Sequence, residues 1–456
     1  MKTILVIGAG RSASSLIRHL QQSTQQQGFK LVVMDREKDL MERKTRENGI
    51  VADLELAVGN ALDASFRAPY MERADIIISM LPAHLHLEIV KDAIALGKHV
   101  ITPSYISKEI QALDEEAKKK GVLVLGEMGL DPGLDHMSAM QILERIKSEG
   151  NEMDAFESFC GGLVAPEFDT NPWKYKFTWN PRNVVLAGSG GAVKFIQEGK
   201  YKFIPYHKVF RRTETIEIPG YGMFEGYANR DSLGYRSAYG LDGIPTIFRG
   251  TLRRPGFCKA WDLFVQLGAT DDSYTLEDSE NMTHREFINS FLAYSPTDSV
   301  ELKFKYHLGL AQDDSRYEKV KWLGVFSEEK IGLANATPAQ VLQHILEKKW
   351  SLDPADRDMI VMWHKFVFQK DGEFREVHSS MVLEGEVGDH TAMSMTVGLP
   401  LAVAALRILQ KPFEITGVHL PIHKEIYDPV LAELENYGIR FEEREVEAKL
   451  YRRGEI

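Results

Sequence analysis

The chain has 456 residues, a formal net charge of −11 and two cysteines, Cys160 and Cys258. This length is that of two or three domains, and the acidic balance argues against a general nucleic-acid binder. The wide spacing of the cysteines argues against a disulfide framework or a structural zinc site. The apolar run at residues 4–7 is too short for a signal peptide or a membrane span, so we expect a cytoplasmic protein without a membrane partner.

Residues 1–130 alternate short apolar strands with helical patterns. Strands are predicted at residues 3–7, 30–34, 55–58, 75–81, 99–102 and 122–125, and helices at 13–22, 86–96 and 108–119. Alternation at this spacing predicts a Rossmann-type, doubly wound parallel sheet of the α/β class. We therefore predict a dinucleotide-binding domain at residues 1–130, completed by residues 390–456.

The first strand leads into the sequence GAGRSA at residues 8–13. In this pattern Gly8 permits the tight turn, Gly10 lets a pyrophosphate approach the backbone, and Ala13 allows the helix to pack closely on the strand. The helix that Arg11 and Ser12 open presents free N–H groups and a positive dipole end to phosphates. These five residues are therefore predicted to bind the cofactor.

The second strand ends at Asp35, about 20 residues after the glycine turn, where an acid commonly binds the adenine ribose. This acid would repel a 2′-phosphate and favours NAD, whereas the adjacent Arg36 could pair with that phosphate of NADP. We expect NAD rather than NADP. The same edge of the sheet adds three residues to the predicted cofactor site: Asn60, Asp63 and Leu81.

The most constrained turn in the chain is GEMGLDPGLDH at residues 126–136, between a predicted strand and a predicted helix. Its glycines and proline restrict the backbone, and it carries Asp131, Asp135 and His136. Ser104 and Tyr105 follow the preceding strand and are expected at the same sheet edge, where α/β enzymes place their chemistry. A simpler reading gives Asp135 the role of a helix cap.

From residue 131 to 389 aromatic and β-branched residues become frequent, which predicts an α+β substrate domain on a mixed or antiparallel sheet. Residues 271–355 contain short helical patterns and are predicted to form a small helical sub-domain. Two stretches here, NRD at 229–231 and RGTLRR at 249–254, concentrate guanidinium groups that suit carboxylates. His84 and His86 lack the spacing and acidic neighbours of a metal site, so no metal is expected.

Six motifs occur in a recognisable order: TPSYI at 102–106, GEMGLDPGLDHM at 126–137, NPRNVVLAG at 180–188, NRDS at 229–232, RGTLR at 249–253 and TVGLP at 396–400. Over nearly its whole length the chain resembles saccharopine dehydrogenases of the glutamate-forming type. The resemblance implies a split Rossmann domain, an α/β substrate domain and a small helical domain.

The resemblance also implies an NAD(P)-dependent oxidoreductase acting on a CH–NH group in lysine metabolism. Such an enzyme interconverts saccharopine with L-glutamate and 2-aminoadipate 6-semialdehyde through an imine. Seven positions match those that contact saccharopine in the family: Ser104, Tyr105, Asp131, Arg230, Thr251, Leu252 and Arg253. Our hypothesis is that Arg230 and Arg253 hold carboxylates while Asp131 and Tyr105 act at the amine.

Several alternatives remain open on the sequence alone. The proton-transfer residue is Asp131, Tyr105 or His136, and the physiological direction is undetermined. A related imine reductase acting on a polyamine-type substrate, as carboxynorspermidine dehydrogenase does, would share the mechanism, but the arginines favour a substrate with several carboxylates. A non-catalytic dinucleotide-binding protein is a further alternative. Apolar strands in the second domain favour a homodimer.

Overall fold

The computed structural model describes residues 1–46, 49, 53–189, 191–229 and 231–448. The chain divides into two compact units. Unit 1 comprises Met1–Glu152, Arg357–Ile360 and Met381–Glu443, and unit 2 comprises Met153–Asp356, Val361–Ser380 and the described residues from Arg444 onward. Each unit is described here by itself.

The N-terminal part of unit 1 alternates strands and helices. Its elements are β1 (Thr3–Ile7), α1 (Ser14–Gln27), β2 (Lys30–Asp35), α2 (Lys38–Arg46), β3 (Leu54–Val58), α3 (Ala64–Arg73), β4 (Ile76–Ser79), α4 (His86–Leu96), β5 (His99–Ile101), α5 (Lys108–Gln111), α6 (Asp114–Lys119), β6 (Leu123–Leu125) and α7 (Leu134–Ser148). A 3₁₀ turn, Arg11–Ala13, precedes α1.

The middle of the chain is richer in strands and then in helices. The elements are β7 (Glu152–Val164), α8 (Pro181–Val185), β8 (Val193–Gln197), β9 (Lys200–Ile204), β10 (Thr213–Ile218), β11 (Gly222–Ala228), β12 (Thr246–Arg253), α9 (Phe257–Leu267), α10 (His284–Ser290), α11 (Val300–Leu308), α12 (Ser315–Trp322), α13 (Pro338–Trp350) and β13 (Asp358–Lys370). The C-terminal part adds β14 (Glu373–Glu384), α14 (Ala392–Gln410), β15 (Gly417–His419), α15 (Lys424–Leu434) and β16 (Glu442–Val446).

Unit 1 is built on a seven-stranded sheet in the order β15-β6-β5-β4-β1-β2-β3. The pairs β1–β2, β1–β4 and β15–β6 are all parallel. The order reverses between β4 and β1, which makes this a doubly wound sheet with a switch point beside the glycine turn. The predicted Rossmann-type sheet is thus confirmed, and the C-terminal strand β15 extends it.

Unit 2 is built on a nine-stranded mixed sheet. Its main order is β10-β11-β12-β7-β13-β14-β16, and β8 pairs with β12 and β9. The β11–β12 pair is antiparallel, whereas β12 and β7 run parallel. The predicted fold class, a parallel sheet plus a second mixed sheet with helices, is therefore confirmed.

Helix α14 is the buried helix of unit 1. It is long and apolar enough to cross a membrane by length and composition, but 78% of its most apolar window is buried. A Cβ on its Gly398 would lie 2.8 Å from the Leu16 backbone nitrogen, so α14 contacts α1 backbone to backbone. Length and apolarity here are those of a core helix.

The structure differs from the sequence-based elements in three places. The predicted helix at 108–119 is two short helices, α5 and α6. The aromatic and β-branched region is not strand throughout, since a 3₁₀ turn, Tyr206–Arg211, precedes β10. The β8–β9 hairpin, which turns at Glu198-Gly199, was not predicted.

Candidate functional site

The predicted cofactor turn connects β1 to α1 in unit 1. Gly8 has φ +102, a backbone conformation that favours glycine, and its N–H donates to the Met34 carbonyl at 2.8 Å. A Cβ on Gly8 would lie 3.1 Å from the backbone of Met80, at the end of β4. Gly8 is therefore required by the close packing of three strand ends.

Gly10 lies on the same turn in a different environment. It is exposed, has φ −61, and a Cβ there would have no atom of the protein within 4 Å. Its carbonyl accepts from the Ala13 N–H at 3.0 Å and from the buried Lys44 ammonium at 2.5 Å. The Gly10 carbonyl is thus fixed by hydrogen bonds, while the space beside its Cα is open, as a phosphate-binding turn requires.

Asp35 at the end of β2 is tied to the glycine turn. Its carboxylate accepts from the Ala9 N–H at 2.7 Å and from the Glu37 N–H at 3.0 Å. The adjacent Arg36 side chain is 81% exposed, and its Nε lies 3.8 Å from Glu37. The acid therefore braces the backbone, while the guanidinium group extends into solvent.

The remaining predicted cofactor residues lie around the same edge. Arg11 is exposed and Ser12 half-buried on the 3₁₀ turn, and Ala13 is fully buried. Asn60 accepts from the Leu62 N–H at 3.1 Å, and Asp63 caps α3 by accepting from the Ser65 N–H at 2.9 Å. Leu81 is half-buried beyond β4. All lie in unit 1, at or beyond the carboxyl ends of its strands.

His86 is a buried residue that links the ends of β4 and β5. Its Nδ1 lies 2.8 Å from the Ser79 hydroxyl, and its Nε2 lies 2.8 Å from Ser104 Oγ and 2.9 Å from Thr102 Oγ1. Desolvation by burial lowers its pKa to about 4, with a smaller contribution from His84. The imidazole is therefore neutral at physiological pH.

The glycine-rich turn after β6 is held by a second histidine, His136. Tyr105 donates its hydroxyl to Asp131 Oδ1 at 3.3 Å. Beneath them, Glu127 accepts from the Ile106 N–H at 3.1 Å and lies 2.9 Å from His136 Nε2. This pairing joins the loop after β5 to the loop after β6, so Tyr105 and Asp131 are held together.

Asp135 does not cap α7 in the usual way. The helix begins at Leu134, its N-cap residue Gly133 has φ +145, and no side chain caps it. The Asp135 carboxylate instead accepts from the Gly133 N–H at 2.6 Å. A Cβ on Gly133 would fall 2.1 Å from the Gly129 carbonyl oxygen, so the turn closes on itself.

In unit 2 the predicted substrate residues lie at the end of β12. Arg253 is 3% exposed and its guanidinium carbon lies 5.0 Å from the Tyr175 ring and 5.3 Å from the Phe257 ring. Its Nη1 donates to the Leu252 carbonyl at 2.8 Å, and its buried Nε has no hydrogen-bond partner among the described residues. Burial raises the pKa of Tyr175 to about 12, so that phenol stays neutral beside the guanidinium.

The other predicted residues of unit 2 flank Arg253. Thr251 accepts from the Asn229 side-chain amide at 3.0 Å, and Leu252 is fully buried. Arg230 lies outside the described residues, so its predicted carboxylate role stays a prediction. The local order of Thr251 and Arg253 on one strand face follows from the period of a β-strand.

Comparison with known proteins gives two family models that together span most of the chain. The model of the saccharopine dehydrogenase NADP binding domain matches residues 4–125, and that of the saccharopine dehydrogenase C-terminal domain matches residues 129–439. The chain belongs to the saccharopine dehydrogenase family.

Individual relatives are similar over the whole chain. Saccharopine dehydrogenase [NADP(+), L-glutamate-forming] of Pyricularia oryzae is 31% identical over 98% of this chain and 99% of its own length. Rat mitochondrial alpha-aminoadipic semialdehyde synthase is 32% identical over 96% of this chain, which spans 47% of that longer protein. The solved apo saccharopine dehydrogenase (L-Glu forming) of Saccharomyces cerevisiae covers 98% of this chain with a TM-score of 0.87 at 30% identity.

These comparisons correct the expected cofactor. The preference for NAD was wrong, because the matching domain model is an NADP-binding one and the fungal relatives are named for NADP. The physical reason is visible at the end of β2. Asp35 is engaged by two backbone N–H groups, whereas Arg36 is exposed and positively charged, as recognition of a 2′-phosphate requires.

Two side chains of the site were not assigned from the sequence. His86 was weighed as a metal ligand and rejected, and Lys44 was not considered. The signal for His86 was the presence of hydroxyl residues, Ser79 and Thr102, at or just after two adjacent parallel strands. Lys44 gave no local signal, because its contact with Gly10 joins residues 34 positions apart.

Proposed function

We propose that the chain is an NADP-dependent oxidoreductase that interconverts saccharopine with L-glutamate and 2-aminoadipate 6-semialdehyde. The observation that supports this most is the full-length similarity to L-glutamate-forming saccharopine dehydrogenases. The glycine turn and the polar residues after β5 and β6 are all present in unit 1. A catalytic protein retains such groups, whereas a binding protein has no need of Tyr105 and Asp131.

The described residues fit an NADP molecule on three counts. The cradle above Gly10 is open, the helix α1 begins without a side-chain cap, and Arg36 and Arg11 are exposed cations beside it. We assign the pyrophosphate to the turn at residues 8–13 and the 2′-phosphate to Arg36. Bound NADP supplies the hydride acceptor for oxidation of the amine-bearing carbon.

Residues of unit 1 act at the amine in this proposal. Asp131 accepts from the Tyr105 hydroxyl, and its negative charge suits a protonated secondary amine of the substrate. Deprotonation of that amine is needed before a hydride can leave the adjacent carbon. Asp131 and Tyr105 are the proposed groups that hold or move this proton.

Residues of unit 2 recognise carboxylates in this proposal. Arg253 carries a buried positive charge that contacts aromatic rings, and its Nε has no hydrogen-bond partner in the described part of the chain. A buried cation without a carboxylate partner is costly, and a ligand carboxylate would compensate that cost. Thr251 and Leu252 extend this surface along β12, and Arg230 is the second proposed carboxylate ligand.

An oxidation assay tests the proposal. Purified protein is mixed with saccharopine and either NADP or NAD, the absorbance of the reduced nicotinamide is followed, and the amino-acid product is identified. We expect reduction of NADP with release of glutamate, and slower reduction of NAD. Asp131→Asn serves as the matched variant and should lose at least about 100-fold in kcat, because general acid–base groups contribute that much.

Three outcomes would contradict the proposal. Release of lysine would mean that the other carbon–nitrogen bond is cleaved. Turnover of carboxynorspermidine but not saccharopine would assign a polyamine-type substrate. Binding of NADP without turnover of either would indicate a non-catalytic protein. The expected homodimer and cytoplasmic location remain separate predictions.

A further inference from the structure

His86 is joined to the proposed substrate residue Ser104 by a direct hydrogen bond of 2.8 Å between Nε2 and Oγ. The ring is 0% exposed, whereas Ser104 is half-buried. Two further hydroxyls, Ser79 and Thr102, complete its surroundings at 2.8 and 2.9 Å. Since the first residue of α4 thus contacts the ends of β4 and β5, the ring position is fixed by regular secondary structure.

The neutral state of His86 determines what it can offer. A neutral imidazole has one N–H donor and one acceptor nitrogen. Nε2 faces two hydroxyls and Nδ1 faces one. With the proton on Nδ1, the ring donates to Ser79, and the single lone pair of Nε2 accepts from the Ser104 hydroxyl, beside Thr102 Oγ1. Thr102 Oγ1 in turn lies 3.4 Å from the Ser104 N–H, which donates to it.

This arrangement leaves the Ser104 oxygen with its lone pairs available. The next residue, Tyr105, is bonded to the Asp131 carboxylate, so acceptor groups surround this part of the site. Acceptors suit an amine N–H and oppose a carboxylate. The chemistry of the neighbours therefore favours the tautomer with the proton on Nδ1.

We propose that His86 is the positioning residue for Ser104. As a hydrogen-bond acceptor it holds the Ser104 hydroxyl proton, so that the Ser104 oxygen accepts from an N–H group of the substrate. His86 touches neither substrate nor cofactor in this scheme and acts only through Ser104. The inference rests on the proposed function, since it concerns the amine of the same substrate.

A double-mutant cycle tests the inference. His86→Gln keeps a polar group near the Nε2 position but loses the bond to Ser79, and Ser104→Ala removes the hydroxyl. We expect His86→Gln to raise the saccharopine KM about tenfold, as loss of one well-oriented hydrogen bond does, with the NADP KM unchanged. In the Ser104→Ala background the same change should have no further effect.

The matched control is His84→Gln, because His84 is exposed on the same turn; its KM should equal that of the wild type. Equal effects of His86→Gln with and without Ser104 would overturn the inference, and so would a change in the NADP KM alone. If His86→Gln does not fold, Ser79→Ala replaces it and must show the same dependence on Ser104. Wild-type turnover in the same assay decides the proposed function separately.

Discussion

At the scale of single residues, the adjacent side chains of Asp35 and Arg36 show why residue identity alone misassigned the cofactor. Asp35 is the last residue of β2 and Arg36 is the next one, where this fold commonly recognises the ribose. The carboxylate of Asp35 is occupied by the N–H groups of Ala9 and Glu37, so its negative charge is partly satisfied by the protein. The Arg36 guanidinium group extends into solvent. In our proposal these hydrogen bonds, rather than the residue types, leave Arg36 as the residue that binds the 2′-phosphate.

Replacement of Arg36 tests this account. Arg36→Ala should raise the KM for NADP by about 10- to 100-fold, because a charge-assisted hydrogen bond to phosphate contributes about 1.5–3 kcal/mol. The KM for NAD should be unchanged, since NAD lacks the phosphate. Lys38→Ala, which removes another exposed cation two residues further on, is the control. A similar loss with both cofactors would mean that Arg36 stabilises the turn instead.

At the scale of elements, the turn between β1 and α1 contains two glycines, Gly8 and Gly10, with different roles. Gly8 is required by its φ of +102 and by the Met80 backbone 3.1 Å from a Cβ. Gly10 has an ordinary φ and open space around it. The first glycine therefore serves the fold, and the second is free of any packing requirement in unit 1.

Alanine substitutions at these two glycines should have different effects. Gly8→Ala should lower the free energy of unfolding by about 1–3 kcal/mol, because the backbone is strained and the contact is tight. Gly10→Ala should leave unfolding unchanged but weaken NADP binding, since its Cβ would fill the space that a pyrophosphate needs. Urea unfolding and titration with NADP measure the two effects. Equal affinity of Gly10→Ala and wild type for NADP would remove the pyrophosphate from this turn.

The helices and strands also show how much of the fold can be predicted from local sequence. The strands of unit 1 and helix α4 were predicted closely, because apolar runs and helical periodicity are local signals. The break between α5 and α6 was not, since Asp114 at the start of α6 accepts from the Val418 N–H, 304 residues away. The pairing of Arg253 with rings likewise depends on strand register and on distant helices. Contacts of this kind become visible only in the folded chain.

The candidate site divides in the same way. Asp131, Tyr105 and the glycine turn could be predicted, because a parallel sheet brings the carboxyl ends of its strands to one edge. The side chains that hold them could not be predicted in that role, because their contacts join segments that are separate in sequence. Glu127 bonds Ile106 and His136, and His86 bonds Ser104. The sequence therefore predicted that Asp131 and Tyr105 lie at one sheet edge, but not which side chains hold them there.

At the scale of the whole molecule, unit 1 buries two histidines that remain neutral, and this makes its stability depend on pH. Burial lowers the pKa of both His19 and His86 to about 4 from 6.5. Between pH 4 and pH 6.5, each of these two histidines is protonated in the unfolded chain but neutral in the folded chain. Stability is therefore fully present above pH 6.5 and falls as the pH drops toward 4, by about 3 kcal/mol for each histidine.

His19 is the better residue for testing this dependence, because it lies outside the proposed active site. It is 8% exposed in a cavity of about 330 Å³, and its Nδ1 has no hydrogen-bond partner among the described residues. Arg407 and Glu433 line the same cavity with opposite charges. His19→Gln should reduce the loss of unfolding free energy between pH 7 and pH 4 by about 3 kcal/mol, measured by urea unfolding at each pH.

The same substitution at His307, which is exposed on α11, provides the comparison. We expect His307→Gln to follow the wild-type curve, so that the difference between the two variants isolates the cost of charging a buried imidazole. If His19→Gln lost stability with falling pH as steeply as the wild type, Arg407 and Glu433 would have to compensate the charge, and the acid sensitivity of unit 1 would rest on His86. His86→Gln should then flatten the curve by itself, because the two histidines titrate independently of one another.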